Sequence, residues 1–269
     1  MKTNILWGAL ALLVGFSACK KEAGDVDSAL DIVTKSYVEL AAIEQGDYVM
    51  HIYAKDELIV GYNELFFGVE DKEGELVTDY TIHAHPMMDM GMMMHTTPHG
   101  HAELINEKVG LYQQPFTFIM ASTAGVWNLT IDAHIEGEDV TFEYSPTVVE
   151  PDEPRLISYV SEIDSASYFI ALTSLEEPSI GNNDFVVMAY KKESMNSFPA
   201  VEDLIIEIEP EMPSMGHGSP NNVHPVHTMH GEYKGLVNFT MSGYWKVNIT
   251  VFDADKNQAK TDLSFDITF

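Results

Sequence analysis

The sequence predicts an all-β protein built from two tandem immunoglobulin-like β-sandwich domains. Three observations lead to this prediction. Short runs of β-branched and aromatic residues with alternating polarity recur along most of the chain, separated by turn-forming residues. The same succession of short motifs occurs twice, in the same order. A proline-rich segment, residues 145–154, lies between the two occurrences.

The repeated motifs define two copies. They are a Gly-x-Asn segment, a Met-x-x-Met-x-His segment and a Gly-x-Trp segment. These motifs begin at Gly61, Met90 and Gly125 in the first copy and at Gly181, Met212 and Gly243 in the second. Because order and approximate spacing are kept, we interpret the chain as a tandem duplication.

Alternation within each copy predicts the hydrophobic cores. Two neighbouring strands carry apolar residues at every second position, which places those side chains on one face of each strand. The predicted core residues are Phe116, Phe118, Met120, Trp127, Leu129 and Ile131 in the first copy, and Val237, Phe239, Met241, Trp245, Val247 and Ile249 in the second.

Domain boundaries follow from the duplication. The first domain is predicted over residues 45–145 and the second over residues 156–269. Residues 146–155 between them are expected to form a linker. The prolines of this region favour an extended, semi-rigid conformation.

The N-terminus has the form of a secretory signal. Lys2 precedes an apolar run, residues 5–15, that is too short to span a bilayer. Small residues and then Cys19, the only cysteine, follow. The segment resembles a bacterial lipoprotein signal, although Phe16 stands where leucine is usual. The resemblance implies a signal peptide over residues 1–18, lipidation of Cys19 and a tether over residues 19–44.

This signal has two interpretations. We expect a lipid-anchored protein of the cell envelope, on the membrane and facing the periplasm or the cell surface. The alternative is an ordinary signal peptide that leaves Cys19 as a free cysteine.

The charge balance excludes several classes of partner. The net charge is −28, with 42 acidic residues against 14 basic ones. Such a surface repels phosphate backbones, so nucleic acid is not an expected partner. The sequence also has no serine nucleophile elbow, no phosphate-binding glycine loop and no cysteine nucleophile. We therefore expect a binding protein and not an enzyme.

Methionine and histidine are concentrated in two patches. Nine of the eleven histidines lie in residues 83–101 and 212–230. Each patch contains the pattern Met-x-x-Met-x-His-x-x-Pro, at residues 90–98 and 212–220. Thioether and imidazole groups together favour copper, and Cu(I) in particular. Zinc is the rival metal, but methionine is a poor zinc ligand.

In the first copy, His83 and His85 alternate with apolar residues, so both imidazoles should leave the same strand face. Pro86 is expected to end this strand, and the methionine-rich loop is expected to fold back over the two imidazoles. Thioethers with one imidazole would suit Cu(I), whereas His83 and His85 with His95, His99 or His101 would suit Cu(II). The candidate metal ligands of this copy are His83, His85, Met88, Met90, Met93, His95, His99 and His101.

The second copy replaces the two strand histidines with Glu207 and Glu209. Carboxylates do not suit Cu(I). We therefore expect the two copies to differ in metal affinity or in preferred oxidation state. The candidate metal ligands of this copy are Met212, Met215, His217, His224, His227, Met229 and His230.

A Gly-x-Tyr motif also occurs in both copies, at residues 110–112 and 231–233. The order of the Gly-x-Asn, Met-x-x-Met-x-His, Gly-x-Tyr and Gly-x-Trp motifs resembles the YtkA-like domain. This is an extracytoplasmic β-sandwich family linked to copper handling. The second copy is the closer match, through residues 212–217 and 233–245. The resemblance extends over residues 45–269. It implies binding or delivery of copper and not catalysis.

Taken together, these features predict an extracytoplasmic copper-binding lipoprotein that acts as a copper chaperone, buffer or resistance factor. Its Met/His loops would capture Cu(I) or Cu(II) and exchange it with an envelope protein that donates or accepts copper. The alternative is a tandem Ig-like envelope scaffold or adhesion protein, in which the methionine-rich loops contact another protein.

Overall fold

The computed structural model describes residues 29–269, which fold almost entirely into antiparallel β-sheets. The predicted all-β class is confirmed. The predicted signal peptide, Cys19 and the first part of the predicted tether lie outside the described residues. Within residues 29–269, none of the helical structure is long and apolar enough for a membrane span.

Residues 29–149 are called the N-terminal half. Within them lie one short helix and twelve strands: α1 (Ala29–Thr34), β1 (Val38–Gln45), β2 (Tyr48–Ala54), β3 (Leu58–Ile59), β4 (Gly61–Asp71), β5 (Leu76–Val77), β6 (Tyr80–Asp89), β7 (Met94–His95), β8 (Glu103–Asn106), β9 (Leu111–Phe118), β10 (Val126–Ile135), β11 (Glu138–Tyr144) and β12 (Val148–Val149).

Residues 150–269 are called the C-terminal half. Within them lie nine strands: β13 (Leu156–Val160), β14 (Ser167–Leu172), β15 (Gly181–Lys191), β16 (Ile205–Met212), β17 (His217–Gly218), β18 (Val223–Met229), β19 (Glu232–Phe239), β20 (Tyr244–Phe252) and β21 (Gln258–Thr268).

The two halves have the same strand order. In the N-terminal half one sheet runs β1-β2-β4-β9-β8, with β5 added to β4, and the other runs β11-β10-β6-β7. In the C-terminal half the corresponding orders are β13-β14-β15-β19-β18 and β21-β20-β16-β17. The sheet that contains β6 therefore corresponds to the sheet that contains β16. The motif comparison matches His83 and His85 of β6 with Glu207 and Glu209 of β16.

Each half buries one main core between its two sheets. Trp127 and Trp245 are fully buried, and each donates its indole Nε1–H to a backbone carbonyl, that of Met120 at 3.0 Å and that of Met241 at 2.9 Å. The predicted core residues are confirmed except for two methionines: Met120 is only partly buried, although it packs against the core, and Met241 is 37% exposed. The reason is that β9 ends at Phe118 and β19 ends at Phe239, so neither methionine continues the alternation of its strand.

The Gly-x-Asn motif is a structural device in both halves. The side-chain amide of Asn63 donates to the carbonyl oxygens of Ile59 and Gly61, at 2.8 and 2.9 Å. The side-chain amide of Asn183 likewise donates to the carbonyl oxygens of Ser179 and Gly181, at 2.7 and 2.9 Å. Gly61 has a φ of 131°, which only glycine adopts without strain.

The segment predicted as a tether is partly folded. Residues 29–34 form α1 and residues 38–45 form β1, whereas the tether was expected to extend to residue 44. Leu30 is buried with Phe66, and the ring of Tyr37 stacks on that of Phe66 with centroids 4.2 Å apart. These apolar contacts fix the segment to the outer face of β4. They were not predicted, because the hydrophobic periodicity of the segment is weak.

The predicted linker also contributes to the N-terminal core. Val148 is buried in it, and β12 pairs in parallel with β3. Residues 148–149 are thus extended as well as attached to the first sandwich.

Pro86 does not end its strand, contrary to the prediction, because β6 continues to Asp89. The Pro86 carbonyl accepts a hydrogen bond from Thr96 Oγ1 at 2.7 Å, so the backbone of Pro86 faces away from β10. The missing proline N–H therefore costs β6 no ladder hydrogen bond to β10.

Candidate metal centre

Four imidazoles of the N-terminal half gather in one place, which we call the histidine cluster: His83, His85, His99 and His101. The ring centroids of His83 and His85 are 3.9 Å apart, which confirms that both leave the same face of β6. His101 lies 6.1 Å from His83, and His99 lies 6.4 Å from His85. The methionine-rich loop does not cover the two strand histidines as expected, because residues 90–93 form the tight turn between the end of β6 and β7.

One buried glutamine joins the two His-x-His segments of the cluster. The Nε2 of Gln114 donates to the carbonyl of Ala84 at 2.8 Å and to that of Gly100 at 3.0 Å. Its Oε1 accepts the Ala84 N–H at 3.2 Å. Ala84 separates His83 from His85, and Gly100 separates His99 from His101, so Gln114 holds both segments at their centres. The role of Gln114 is not evident in the sequence, where the doubled His-x-His spacing is the only signal of it.

Two imidazoles of the cluster, those of His83 and His99, have lowered pKa values, which favours their neutral form. Burial lowers the pKa of His83 below its ordinary value of 6.5, and the neighbouring His85, His99 and His101 lower it further. Burial likewise lowers the pKa of His99, although its hydrogen bond to the Thr97 carbonyl opposes the shift. Neutral imidazoles keep a lone pair, which is the form that binds metals.

His95 lies on the other side of the same sheet. It pairs with Met88 across β6 and β7, and cross-strand partners share a face. Met88 is fully buried in the core, and His95 is only 3% exposed. His83 and His85 alternate with the inward residues of β6 and so face outward. The predicted grouping of His83 and His85 with His95 is therefore wrong, because the sheet separates them.

Three candidate histidines are in the tautomer that leaves the lone pair of Nε2 available to a metal. Their Nδ1 atoms lie within hydrogen-bond distance of backbone carbonyl oxygens: His95 with Thr96 at 2.7 Å, His99 with Thr97 at 2.8 Å and His217 with Gly218 at 2.9 Å. A carbonyl oxygen only accepts, so Nδ1 carries the proton and Nε2 keeps its lone pair. Metal-bound histidines are commonly oriented in this way by their second nitrogen. The Nε2 of His95 is buried without a hydrogen-bond partner among the described residues.

The environment of His95 recurs at His217. The ring of His95 meets Trp127 edge-on at a centroid distance of 5.5 Å, and the ring of His217 meets Trp245 at 5.9 Å. His217 pairs with the buried Met212 as His95 pairs with Met88. The structural equivalent of Met212 is therefore Met88, although the motif spacing had matched it with Met90.

The two motif histidines differ in access. His95 is buried, whereas His217 is partly exposed and opens on a surface pocket of about 220 Å³. That pocket is also lined by Glu209 and Glu211. Glu209 and Glu211 alternate with the buried Met212, so their side chains leave the outward face of β16, as those of His83 and His85 leave the outward face of β6.

Two predicted ligands use a ring nitrogen for another purpose. The Nδ1 of His224 accepts the Ile208 N–H at 3.0 Å, and the Nε2 of His227 lies 3.4 Å from the Gly231 N–H. A ring nitrogen that accepts a hydrogen bond cannot donate the same lone pair to a metal. His224 thus stabilises β16 at Ile208, the position that corresponds to Ala84, where Gln114 serves in the N-terminal half.

The remaining predicted ligands are peripheral. Met90 is partly buried against the N-terminal core, and its N–H bonds the Met93 carbonyl at 3.0 Å in the turn between β6 and β7. Met93, Met215 and Met229 are 54%, 61% and 61% exposed, and Met92 is 99% exposed at the tip of the same turn. His230 is exposed in the turn between β18 and β19.

The donor set fits copper, although its nitrogen atoms are not fully assembled. Within residues 29–269, no group of three or more His, Cys, Asp or Glu side chains is arranged to hold a metal ion. The cluster rings are neighbours, but rotation about their χ angles is needed before their nitrogens converge. The buried His95 lies outside this search, because the thioether of its cross-strand partner Met88 is not one of the four side-chain types.

The match to a protein family concerns the C-terminal half. Residues 163–250 match the family model described as YtkA-like, in agreement with the resemblance drawn from the motifs of the second copy. No match to a curated protein was found.

Three solved structures are weakly similar over most of the chain. A conserved domain protein from Bacillus anthracis is 12% identical, with 81% of this chain and 78% of that chain covered and a TM-score of 0.37. A DUF4785 family protein from Legionella pneumophila is 7% identical, with 84% and 58% covered and a TM-score of 0.27. Dimeric latent PorU from Porphyromonas gingivalis is 14% identical, with 87% and 24% covered and a TM-score of 0.28. TM-scores this low carry no argument about function.

Proposed function

We propose that this chain is an extracytoplasmic copper-binding lipoprotein made of two tandem YtkA-like copies. It acts in the cell envelope as a copper chaperone, buffer or resistance factor, anchored through Cys19, and it binds copper without catalysing a reaction. Copper is the cargo of the protein, and the partner is an envelope protein that donates or accepts the metal.

The observation that carries this proposal is the recurrence of one arrangement in both halves. The Nδ1–H groups of His95 and His217 bond the carbonyl of the following residue, and both rings meet a core tryptophan. Each histidine also faces a buried methionine, Met88 or Met212. An imidazole with a free Nε2 beside thioethers is a donor set that favours Cu(I).

The histidine cluster supports a second role towards copper. Its imidazoles suit Cu(II) better than thioethers do. Because His95 and the cluster lie on opposite faces of the β6 sheet, the N-terminal half offers separate sites for the two oxidation states. The C-terminal half has carboxylates of β16 in place of the strand histidines. This asymmetry supports different metal preferences in the two copies.

The exposed methionines at the tip of the β6–β7 turn support exchange of copper with a partner. Met92, Met93 and Met94 are 99%, 54% and 52% exposed. Their thioethers are soft ligands exposed to solvent, and they directly precede the buried His95 in the chain. A metal held first by these thioethers reaches the protected site by ligand exchange.

The same exposure favours a second candidate function. Methionine is flexible and polarizable and is used at adaptable protein-binding surfaces. A tandem Ig-like envelope scaffold or adhesion protein would use the turn at Met92–Met94 to contact another protein, and His95 would then be a packing residue.

An anaerobic Cu(I) titration of the full chain against a competing chelator tests the proposal. We expect two tight equivalents, one removed by His95→Gln and the other by His217→Gln. His134→Gln is the matched control, because His134 is exposed and paired with Asp139 at 2.8 Å. Cu(I) affinity no tighter than that of a short methionine-rich peptide would sink the proposal and favour the scaffold. Tight Zn²⁺ binding without Cu(I) binding would replace copper with zinc.

A further inference from the structure

The methionines around the β6–β7 turn fall into two groups by their exposure. Met88 on β6 is fully buried in the N-terminal core. Met92, Met93 and Met94, which we call the outer methionines, are more than half exposed, and Met92 is almost completely so. A reagent dissolved in the solvent therefore reaches three consecutive thioethers but not the one that lies opposite His95.

The backbone of this turn is held on both sides of the outer methionines. On one side the Gly91 N–H donates to Asp89 Oδ1 at 2.7 Å. On the other side the Thr96 N–H donates to the Met195 carbonyl of the C-terminal half at 2.9 Å. Because these bonds involve none of the outer side chains, a chemical change at the exposed sulfur atoms leaves the fold intact.

An exposed thioether is open to oxidation by hydroperoxides. The sulfur lone pair attacks one oxygen of hydrogen peroxide, an S–O bond forms and the O–O bond breaks. Sulfur is oxidised by two electrons, and the reduced peroxide leaves as water after it takes up the remaining proton. The product, methionine sulfoxide, is polar and presents a hard oxygen atom, so it is a poor ligand for Cu(I).

Oxidation of Met88 would have a different structural consequence. Its thioether is packed among the apolar side chains of the core. A sulfoxide there would be a buried polar group without a hydrogen-bond partner, which is unfavourable. The N-terminal half therefore separates thioethers that can be oxidised without loss of the fold from one that the fold protects.

We propose that Met92, Met93 and Met94 form a site of reversible oxidation to methionine sulfoxide by hydroperoxides. The oxidised turn no longer exchanges copper, while the buried Met88 keeps its thioether opposite His95. Oxidation thus converts a protein that exchanges copper into one that retains it. The effect on copper rests on the proposed function, whereas the selective oxidation rests on the exposure of the side chains alone.

Return to the reduced state requires a separate enzyme. Methionine sulfoxide is reduced by dedicated reductases, one for each epimer of the sulfoxide. Cys19 is the only cysteine of the chain, so the protein has no dithiol that could supply the two electrons. The reaction that consumes the oxidised form is therefore reduction by methionine sulfoxide reductases of the same compartment.

Peptide mapping by mass spectrometry tests the selectivity, on the metal-free full chain treated with increasing amounts of hydrogen peroxide. Sulfoxide should form at the outer methionines about tenfold faster or more than at Met88. The protein oxidised at the turn should keep the wild-type unfolding temperature. Equal rates of oxidation at Met92 and Met88 would overturn the inference, and this outcome does not depend on copper.

Transfer of Cu(I) to a chelator tests the consequence. The oxidised chain is freed of peroxide and loaded anaerobically to equilibrium, and the release of Cu(I) is followed by stopped flow. Release should be about tenfold slower than from the untreated chain, and methionine sulfoxide reductases should restore the rate. The triple variant M92L/M93L/M94L should be slow before treatment and unchanged by it. Met229→Leu is the matched control and should follow the wild type, because Met229 is also more than half exposed but lies on β18.

An unchanged rate of release after complete oxidation of the outer methionines would also overturn the inference. Failure of the wild type to bind Cu(I) tightly would instead sink the proposed function. The two failures are distinguishable, because the oxidation map of the metal-free chain decides the oxidation site without reference to copper.

Discussion

The side-chain amide of Gln114 bonds the peptide groups of Ala84 in both directions, with Nε2 to the carbonyl oxygen at 2.8 Å and Oε1 to the N–H at 3.2 Å. Gln114 belongs to β9 in one sheet, and Ala84 belongs to β6 in the other. The amide therefore closes the open edge of β6 where a neighbouring strand would otherwise pair. It also fixes the backbone of β6 at Ala84, between His83 and His85.

Replacement of Gln114 by leucine should lower the free energy of unfolding by about 2–4 kcal/mol, because buried backbone groups lose their partners. Urea denaturation measures this loss. The control is Gln113→Leu, since Gln113 donates to Glu64 at 2.7 Å in a partly buried position. The control should lose less than about 1 kcal/mol. Similar losses in both variants would contradict the role of Gln114.

Much of the fold was predictable because alternation is a local property. The period of two placed His83 and His85 on one face and Trp127 and Trp245 in the cores, and the structure agrees. The succession of motifs also anticipated two halves of the same strand order. Strand faces depend only on neighbouring residues, so one sequence is enough to assign them.

The assembly of the candidate site was not predictable, because it depends on contacts between distant segments. Gln114 reaches two strand positions that no spacing rule connects. The roles of His95 and His224 differ only in the backbone group that each ring nitrogen meets. That His101 and His230 line the same cavity depends on how the halves pack.

Met88 and Met92 belong to the same methionine-rich segment, but their replacement by alanine should have very different effects on the free energy of unfolding. Met88 is fully buried, so Met88→Ala should cost about 2–5 kcal/mol in unfolding free energy. Met92 is 99% exposed, so Met92→Ala should change it by no more than about 0.5 kcal/mol. Urea denaturation compares the two. A costly Met92→Ala would mean that the turn packs against the protein.

Replacement of His217 should affect metal binding, whereas replacement of His224 should affect the free energy of unfolding. His217→Ala should remove one Cu(I) equivalent, because the free Nε2 is lost. His224→Ala should keep both equivalents and lose about 1 kcal/mol of stability, because the Ile208 N–H loses its acceptor. Chelator competition and urea denaturation on both variants provide the two readouts. Loss of Cu(I) affinity in His224→Ala would show that its ring binds metal after breaking that bond.

The lowered pKa values of His83 and His99 have a consequence for the metal-free protein. Burial, reinforced by neighbouring imidazoles, makes both groups bind protons less tightly in the folded state than in the unfolded chain, where histidine titrates near 6.5. Below that pH the unfolded chain takes up more protons than the folded one. Stability is therefore lost as the pH falls through about 6.5 and is unaffected by these groups well above it.

His99→Gln should remove part of this pH dependence. With a chelator present, the urea midpoint of the variant should decline less between about pH 7.5 and 5 than that of the wild type. The net charge of −28 also changes over this range, so the measured quantity is the difference between variant and wild type. His134→Gln controls for the loss of an exposed histidine outside the histidine cluster. A His99→Gln slope equal to the wild-type slope would mean that His99 titrates as it does in the unfolded chain.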